Sequence, residues 1–193
     1  ILQGMMQIHG QQASESFETL TYLTLRAGTN VVYANGSARS AVNTKVSLGK
    51  VRSAVRTLNK NKCRKKSTIL APSVNYKTQA IEAAYVAVCH TDLEPDIRDL
   101  PGFVPVSQYG SRQTICPQEF GSVENVRFIT TTVATPFADA GGLDGDAVLS
   151  TTGTNADVYP ILIFGEDAYG TVALKGKDSA EILVRNPGKP ENG

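Results

Sequence analysis

Five consecutive apolar residues, Tyr85-Val86-Ala87-Val88-Cys89, constrain the fold of this chain more than any other feature. A strand turns successive side chains to opposite faces, so a run of β-formers with no polar member has no face to give to water. Both of its sides must therefore be covered by other elements. One such element lies upstream, where Leu48, Val51, Val55 and Leu58 step by three, four and three residues and so share one side of a helix. Ser47 stands at the N-cap position and the helix is expected to end near Lys62, a length of roughly 24 Å at about 1.5 Å per residue. A helix with one apolar side and a strand with no wet face describe a mixed helix-and-sheet domain.

The other segments carry weaker patterns. Residues 1–16 are Gln-rich and carry no assignment. Phe17, Leu20, Leu23 and Leu25 partly fit helical spacing against a Thr and Tyr content that favours strand, and the reading is helix. Asn35-Gly36 marks a turn. After a polar loop containing Pro72 and the apolar strand, Asp92, Glu94, Asp96, Arg98 and Asp99 crowd around Pro95, too broken for a long helix, and Pro101-Gly102 ends the segment. Val123–Val133 reads as a strand in which Val126, Phe128 and Thr130 alternate with Asn125, Arg127 and Ile129, so that one face is mostly packed. Residues 134–157 form a long Gly-, Ala-, Thr- and Asp-rich stretch without period, a length typical of functional or mobile loops. Strands are expected at Val158–Phe164, Thr171–Leu174 and Glu181–Arg185. Pro160 cannot donate to a ladder, so the first of these begins at a sheet edge or pairs only beyond it.

Bulk properties exclude several classes. At 193 residues and 41% apolar content the chain makes one ordinary domain or two small ones and can bury roughly two thirds of its extended surface. With 19 basic and 18 acidic residues no global field draws it to nucleic acid or membrane, so such attraction must be local. No stretch approaches the roughly 20 apolar residues that span a bilayer, and ILQGMMQIHG lacks the parts of a secretion signal. Cys63, Cys89 and Cys116 are an odd set without CxxC spacing, which favours reduced thiols in a cytosolic setting. The opening on Ile1 and the closing NPGKPENG lead us to expect a fragment of a longer protein.

Reactive constellations are few. Cys89, His90, Asp92, Glu94 and Asp96 have the chemistry of zinc ligands, but adjacent strand residues diverge and the acids straddle a proline turn; a buried thiol, a capping His and solvated acids are the plainer reading. Asp139, Asp144 and Asp146 have calcium-type oxygens without the ligand ladder of an EF-hand. His9 and His90 are the chain's two histidines, neither beside a nucleophile motif, and no phosphate-binding glycine loop occurs. Cys63 lies among Lys60, Lys62, Arg64 and Lys65, which favours its thiolate if it is exposed, yet no resolving Cys is near in sequence. The feature with a functional reading is the helix's other side. Between Lys45 and Lys66 stand nine Lys or Arg (Lys45, Lys50, Arg52, Arg56, Lys60, Lys62, Arg64, Lys65, Lys66) and no Asp or Glu. Such a side can contact several phosphates with salt-sensitive, sequence-independent affinity, and without aromatics it does not read single strands. The alternative is a solvated helix face paired with acids of another segment or subunit.

Several long segments, in order and in spacing, resemble the major capsid proteins of tailed bacteriophages of the N-four type: TLTYLTLRAGTNVVYANG, SLGKVRSAVRTLNKNK, AYVAVCHTDLEPDIRDLPGFVPVSQYG, FGSVENVRFITTT, TPFADAGG and DVYPILIFGEDAYGTVALKG. The similarity covers nearly all of residues 17–185, and none of it is a catalytic motif. It implies an α+β chain with the Hong Kong 97 capsid fold. Residues 1–66 would belong to a peripheral domain whose spine helix is 47–62, residues 67–176 would form an axial domain on a mixed or antiparallel sheet with 134–157 projecting from it, and 177–193 would start the return to the peripheral domain. The family's N-terminal arm, most of its extended loop and its last strand and helix have no counterpart in this sequence. The implied role is a structural shell subunit of a phage or prophage, no enzyme, assembled in the bacterial cytoplasm into hexamers and pentamers around double-stranded DNA. It implies no cofactor, no metal, no membrane and no small-molecule substrate. Lys50, Arg52, Arg56 and Lys60 are the expected DNA-facing or intersubunit basic face, and Asp92, Glu94, Asp96, Arg98, Asp99 and Arg127 the expected intersubunit charge partners. The rival readings are a metal-dependent hydrolase using Cys89–Asp96 and a basic DNA-binding module.

Overall fold

The computed structural model describes residues 2–70, 78–110, 112–143 and 148–172. In chain order these form α1 (Leu2–Arg26), α2 (Leu48–Lys60), β1 (Lys66–Leu70), β2 (Thr78–His90), α3 (Glu94–Arg98), β3 (Phe103–Pro105), β4 (Glu119–Val123), β5 (Val126–Thr131) and β6 (Leu162–Phe164), an α+β chain. One mixed sheet runs in the order β1-β2-β5-β4-β3, with β6 also against β2. The apolar run is the second half of β2. Along that half β2 has neighbours on both sides: β5, parallel, with Tyr85 opposite Val126, and β6, antiparallel, with Val88 opposite Leu162. Its first half pairs antiparallel with β1.

Register then decides the core. Tyr85, Ala87 and Cys89 share a sheet face with Val126 and Phe128, and all five are fully buried or nearly so. Onto this cluster α2 lays Val51, with Leu48, Val55 and Leu58 half-buried around it, and the α3 segment adds Ile97 and Leu100. Phe120 bridges Phe128 at 6.2 Å and Phe103 at 5.8 Å between ring centroids. Burying a side chain such as Val51 stabilises by about 1.5–3 kcal/mol, so a Val51→Asp change would uncouple α2 from the sheet. The helix assigned to a peripheral domain packs Val51, with Leu48, Val55 and Leu58, on the sheet's own core.

The end of α2 is fixed by backbone geometry. Lys62 adopts a left-handed φ of 57°, and the amides of Lys62 and Cys63 donate to the carbonyls of Asn59 and Leu58, both at 3.0 Å. This closes the helix by a Schellman pattern that glycine usually supplies. The Tyr85 hydroxyl reaches the same turn, 2.7 Å from Asn59 Oδ1 and 3.1 Å from the Cys63 carbonyl, and so ties the helix end to β2. Ser47 does occupy the N-cap position in extended conformation, but its hydroxyl makes no capping bond.

Other expectations shift in extent. The helix expected over Phe17–Leu25 is the end of α1, which also takes in most of the unassigned Gln-rich stretch. Val123–Val133 is two strands: Val123 ends β4, a turn at Glu124-Asn125 with Glu124 at φ 52° follows, and β5 begins at Val126. Val158–Phe164 shrinks to β6, which pairs only beyond Pro160, while Val158 bridges Phe137. Residues 134–143 and 148–157 hold no helix or strand, yet they are anchored: Phe137 and Val158 exchange both backbone hydrogen bonds, and Gly142 N donates to the Val42 carbonyl at 2.9 Å. A Cβ at Gly141 would run into that carbonyl, which fixes glycine there. Of Thr171–Leu174, Thr171 and Val172 lie outside any strand; the remainder, and Glu181–Arg185, fall outside the described residues.

Candidate interaction surfaces

The structure sorts the nine basic residues into two sets. Three of them meet acids from distant segments: Lys45 with Asp96 at 2.7 Å, Arg52 with Glu124 at 2.5 Å and Arg64 with Asp167 at 3.6 Å. The other six, Lys50, Arg56, Lys60, Lys62, Lys65 and Lys66, form no ion pair among the described residues. Arg56, Lys60 and Lys62 are exposed, whereas Lys50, Lys65 and Lys66 are half-buried and Lys65 lies 5.8 Å above the Tyr85 ring. The four residues expected on one basic face therefore divide: Arg52 is committed to Glu124, Lys50 is half-buried, and Arg56 and Lys60 are exposed.

The acidic segment is largely occupied within the chain. His90 opens it: its Nδ1 accepts the Asp92 amide N–H at 3.2 Å, the capping role read from the sequence. Asp92 Oδ2 accepts the Tyr159 hydroxyl at 2.9 Å, and burial, then that carboxylate, push the Tyr159 hydroxyl up to about 12. Glu94 Oε1 is held by Arg98 at 2.7 Å one helical turn on, and Asp96 by Lys45. Exposed Asp99 has no such partner among the described residues.

Arg127 corrects the sequence reading outright. It was expected on a surface between subunits, but it is 3% exposed. Alternation places it on the sheet face opposite Phe128, where Tyr109, Gln113 and Ile115 gather. There its Nη1 donates to the Gln113 carbonyl at 2.6 Å and lies 3.6 Å from Glu119 Oε1, with the Tyr109 ring 5.6 Å from the guanidinium carbon. Glu119, its side chain fully buried, accepts from the Tyr109 hydroxyl at 2.7 Å and the Ile115 amide at 2.6 Å. Arg127 Nη2 has no partner among the described residues. Neither Glu119 nor Tyr109 carried a sequence signal, since the cluster exists only once β4 and β5 pair.

The hydrolase cluster does not assemble. Cys89 faces the core under α2, and burial, then the Glu94 charge, push its thiol up to about 12, which keeps it protonated and unreactive. Among the described residues no three His, Cys, Asp or Glu side chains stand close enough to hold a metal ion. Asp139 is engaged by the Thr152 hydroxyl and the Asn155 amide; Asp144 and Asp146 lie outside the described residues. No helix among the described residues is long and apolar enough to cross a membrane.

One surface had no counterpart in the sequence reading. Along α1, about 38 Å long at 1.5 Å per residue, Phe17 is 60% and Leu20 65% exposed, with Ile8 and Leu23 also outward. Phe17 and Leu20 border a groove of ≈ 380 Å³ shared with Tyr169 and Val172. The helix is held to the body near its end, where Tyr22 and Arg26 both donate to the Thr135 carbonyl and Arg26 lies 4.1 Å above the Phe137 ring. No protein-family model matches the chain, and no curated protein matches it at a significant level.

Proposed function

We propose that the chain is a structural subunit of a phage or prophage capsid with the Hong Kong 97 fold, which works by packing and symmetry with many copies of itself around packaged double-stranded DNA. The resemblance of several long segments in register supports this reading. The structural observation that carries it is the exposed apolar row of α1: a helix that leaves Phe17 and Leu20 more than half in water suits a subunit whose neighbours cover them. Within this reading the sheet with α2 and α3 serves as the axial domain, and residues 134–157 serve as its projection. The spine role, expected for 47–62, passes to α1, which has 25 residues against the 13 of α2. Asp99 and the outer side of Arg98 are the members of the acidic segment left for contacts between subunits. The place of action is the virion, with assembly in the host cytoplasm.

Electron microscopy of the protein expressed from its complete reading frame tests the proposal. Rings of five and six subunits, or closed shells, are expected. A protein that stays monomeric at every concentration, with α1 uncovered, would overturn it.

A further inference from the structure

We infer that Arg56, Lys60 and Lys62 form a contact for the phosphate backbone of duplex DNA, and that Lys45, Arg52 and Arg64 take no part in it. The inference deepens the shell reading, on which it rests for the source of the DNA. Its first ground is the sorting of charge. Three acids that pair with the basic segment are already held: Asp96 by Lys45, Glu124 by Arg52 and Asp167 by Arg64. Arg56, Lys60 and Lys62 are exposed and form no ion pair among the described residues. Arg56 and Lys60 stand one turn apart on the same side of α2, about 6 Å along its axis, and Lys62 lies in the turn that closes the helix. A duplex presents one negative charge per about 1.7 Å of its axis, so a strip this short meets several phosphates without needing a register.

The chemistry of the surroundings chooses the polyanion. An anionic membrane would call for an amphipathic helix with its apolar side free to enter the lipid. In α2 that side is spent: Val51 is 4% exposed, and Leu48, Val55 and Leu58 pack on the sheet core. Single strands are gripped by aromatic stacking, and residues 45–66 contain no aromatic side chain. What remains is backbone contact with a duplex, which needs charge alone.

The test is the salt dependence of binding of the 193-residue chain to a DNA duplex of about 30 base pairs, followed by fluorescence anisotropy. Three phosphate contacts give a slope of log K against log salt near −0.9 for each, so roughly −3. Arg56→Gln with Lys60→Gln is expected to cut the slope by about 2, whereas Lys45→Gln with Arg64→Gln changes it by less than about 1. Equal effects of the two pairs, tighter binding to a single strand, or binding to phosphatidylserine vesicles that matches the duplex would each overturn the inference. The two proposals fail separately. Shells whose DNA packaging ignores Arg56→Gln with Lys60→Gln sink the contact and leave the shell, while a chain that binds duplexes with the stated slope but never assembles sinks the shell and leaves the contact.

Discussion

Replacing Arg127 by Met puts the correction at this position to a direct test. The guanidinium is 3% exposed and its nearest charge, Glu119 Oε1, is 3.6 Å away and also buried. At an effective dielectric constant of about 20 this attraction is about 5 kcal/mol, before either ion's loss of water is counted. That loss offsets much of it, so the intact pair adds little over an apolar substitute; removing one member, however, leaves the other ion buried and unpaired, at a cost of about 3–5 kcal/mol. Arg127→Met strands Glu119 with the Tyr109 and Ile115 donors alone and frees the Gln113 carbonyl. Folded domains hold only about 5–15 kcal/mol in total, so a loss of this size is visible in urea unfolding followed by circular dichroism. Because Arg127 Nη2 is already without a partner among the described residues, the pair is not ideal, and Arg127→Met with Glu119→Gln should be no worse than either single change. The coupling energy of that cycle is expected at about 2 kcal/mol or more. If Arg127→Met left unfolding of the isolated chain untouched and altered only its association, the residue would be a surface contact after all and the reasoning would fail.

Tyr85→Phe removes the hydroxyl that holds Asn59 and the Cys63 carbonyl; a loss of about 1–2 kcal/mol is expected, with faster amide exchange at Lys62 and Cys63 as the local signature. Lys62→Gly relieves a left-handed backbone and should stabilise by about 1 kcal/mol in the same unfolding assay, while lowering the DNA salt slope by about 1. Alkaline pH should weaken the fold. The Cys89 thiol keeps its proton to about 12 when folded but loses it near its ordinary 9.0 when unfolded, so the unfolded state binds fewer protons across that window. Stability is then full below about pH 9 and falls by up to about 1.4 kcal/mol per pH unit above it, with Tyr109 adding to the slope from about pH 10. Cys89→Ala should delay the onset by about one pH unit, as read from urea midpoints between about pH 8 and pH 11. Phe17→Ser with Leu20→Ser touches no core residue and should shift stability by less than about 0.5 kcal/mol, yet reduce self-association in sedimentation velocity.

What could be read in the sequence was whatever a short window decides. The steps from Leu48 to Leu58 and the run from Tyr85 to Cys89 found their places because periodicity and apolarity alone choose a face. The early part of α1 escaped because it is Gln-rich and has no apolar stripe, while the Thr and Tyr content of Phe17–Leu25 argued for strand against a partly helical spacing. In the structure the hydroxyls of Ser16, Thr19, Thr21 and Thr24 each bond back to the carbonyl four residues earlier, which lets these residues sit in a helix. Strand β4 escaped for another reason: EFGSV is buried throughout, has no alternation, and carries a glycine whose missing Cβ makes room for the Phe103 ring. Charge density on α2 was visible, but its sorting was not. Glu124 lies 72 residues from Arg52, and only the β4–β5 turn brings it there.

The two surfaces left without partners among the described residues respond oppositely to salt, and this separates their roles. Counterions compete for Arg56, Lys60 and Lys62, so any contact they make with a polyanion weakens steeply as ionic strength rises. The apolar row of α1 contains nothing for salt to screen, and an excluded salt such as sulfate strengthens its burial. A subunit that assembles through α1 and touches DNA through the end of α2 should therefore release DNA at high salt while its copies stay together. Had the basic residues served contacts between copies, as the rival reading of a charged face paired with a neighbour's acids has it, assembly and DNA binding would be lost together. The acids best placed for such pairing, Asp96 and Glu124, are already held within the chain by Lys45 and Arg52, which is why the separation is expected.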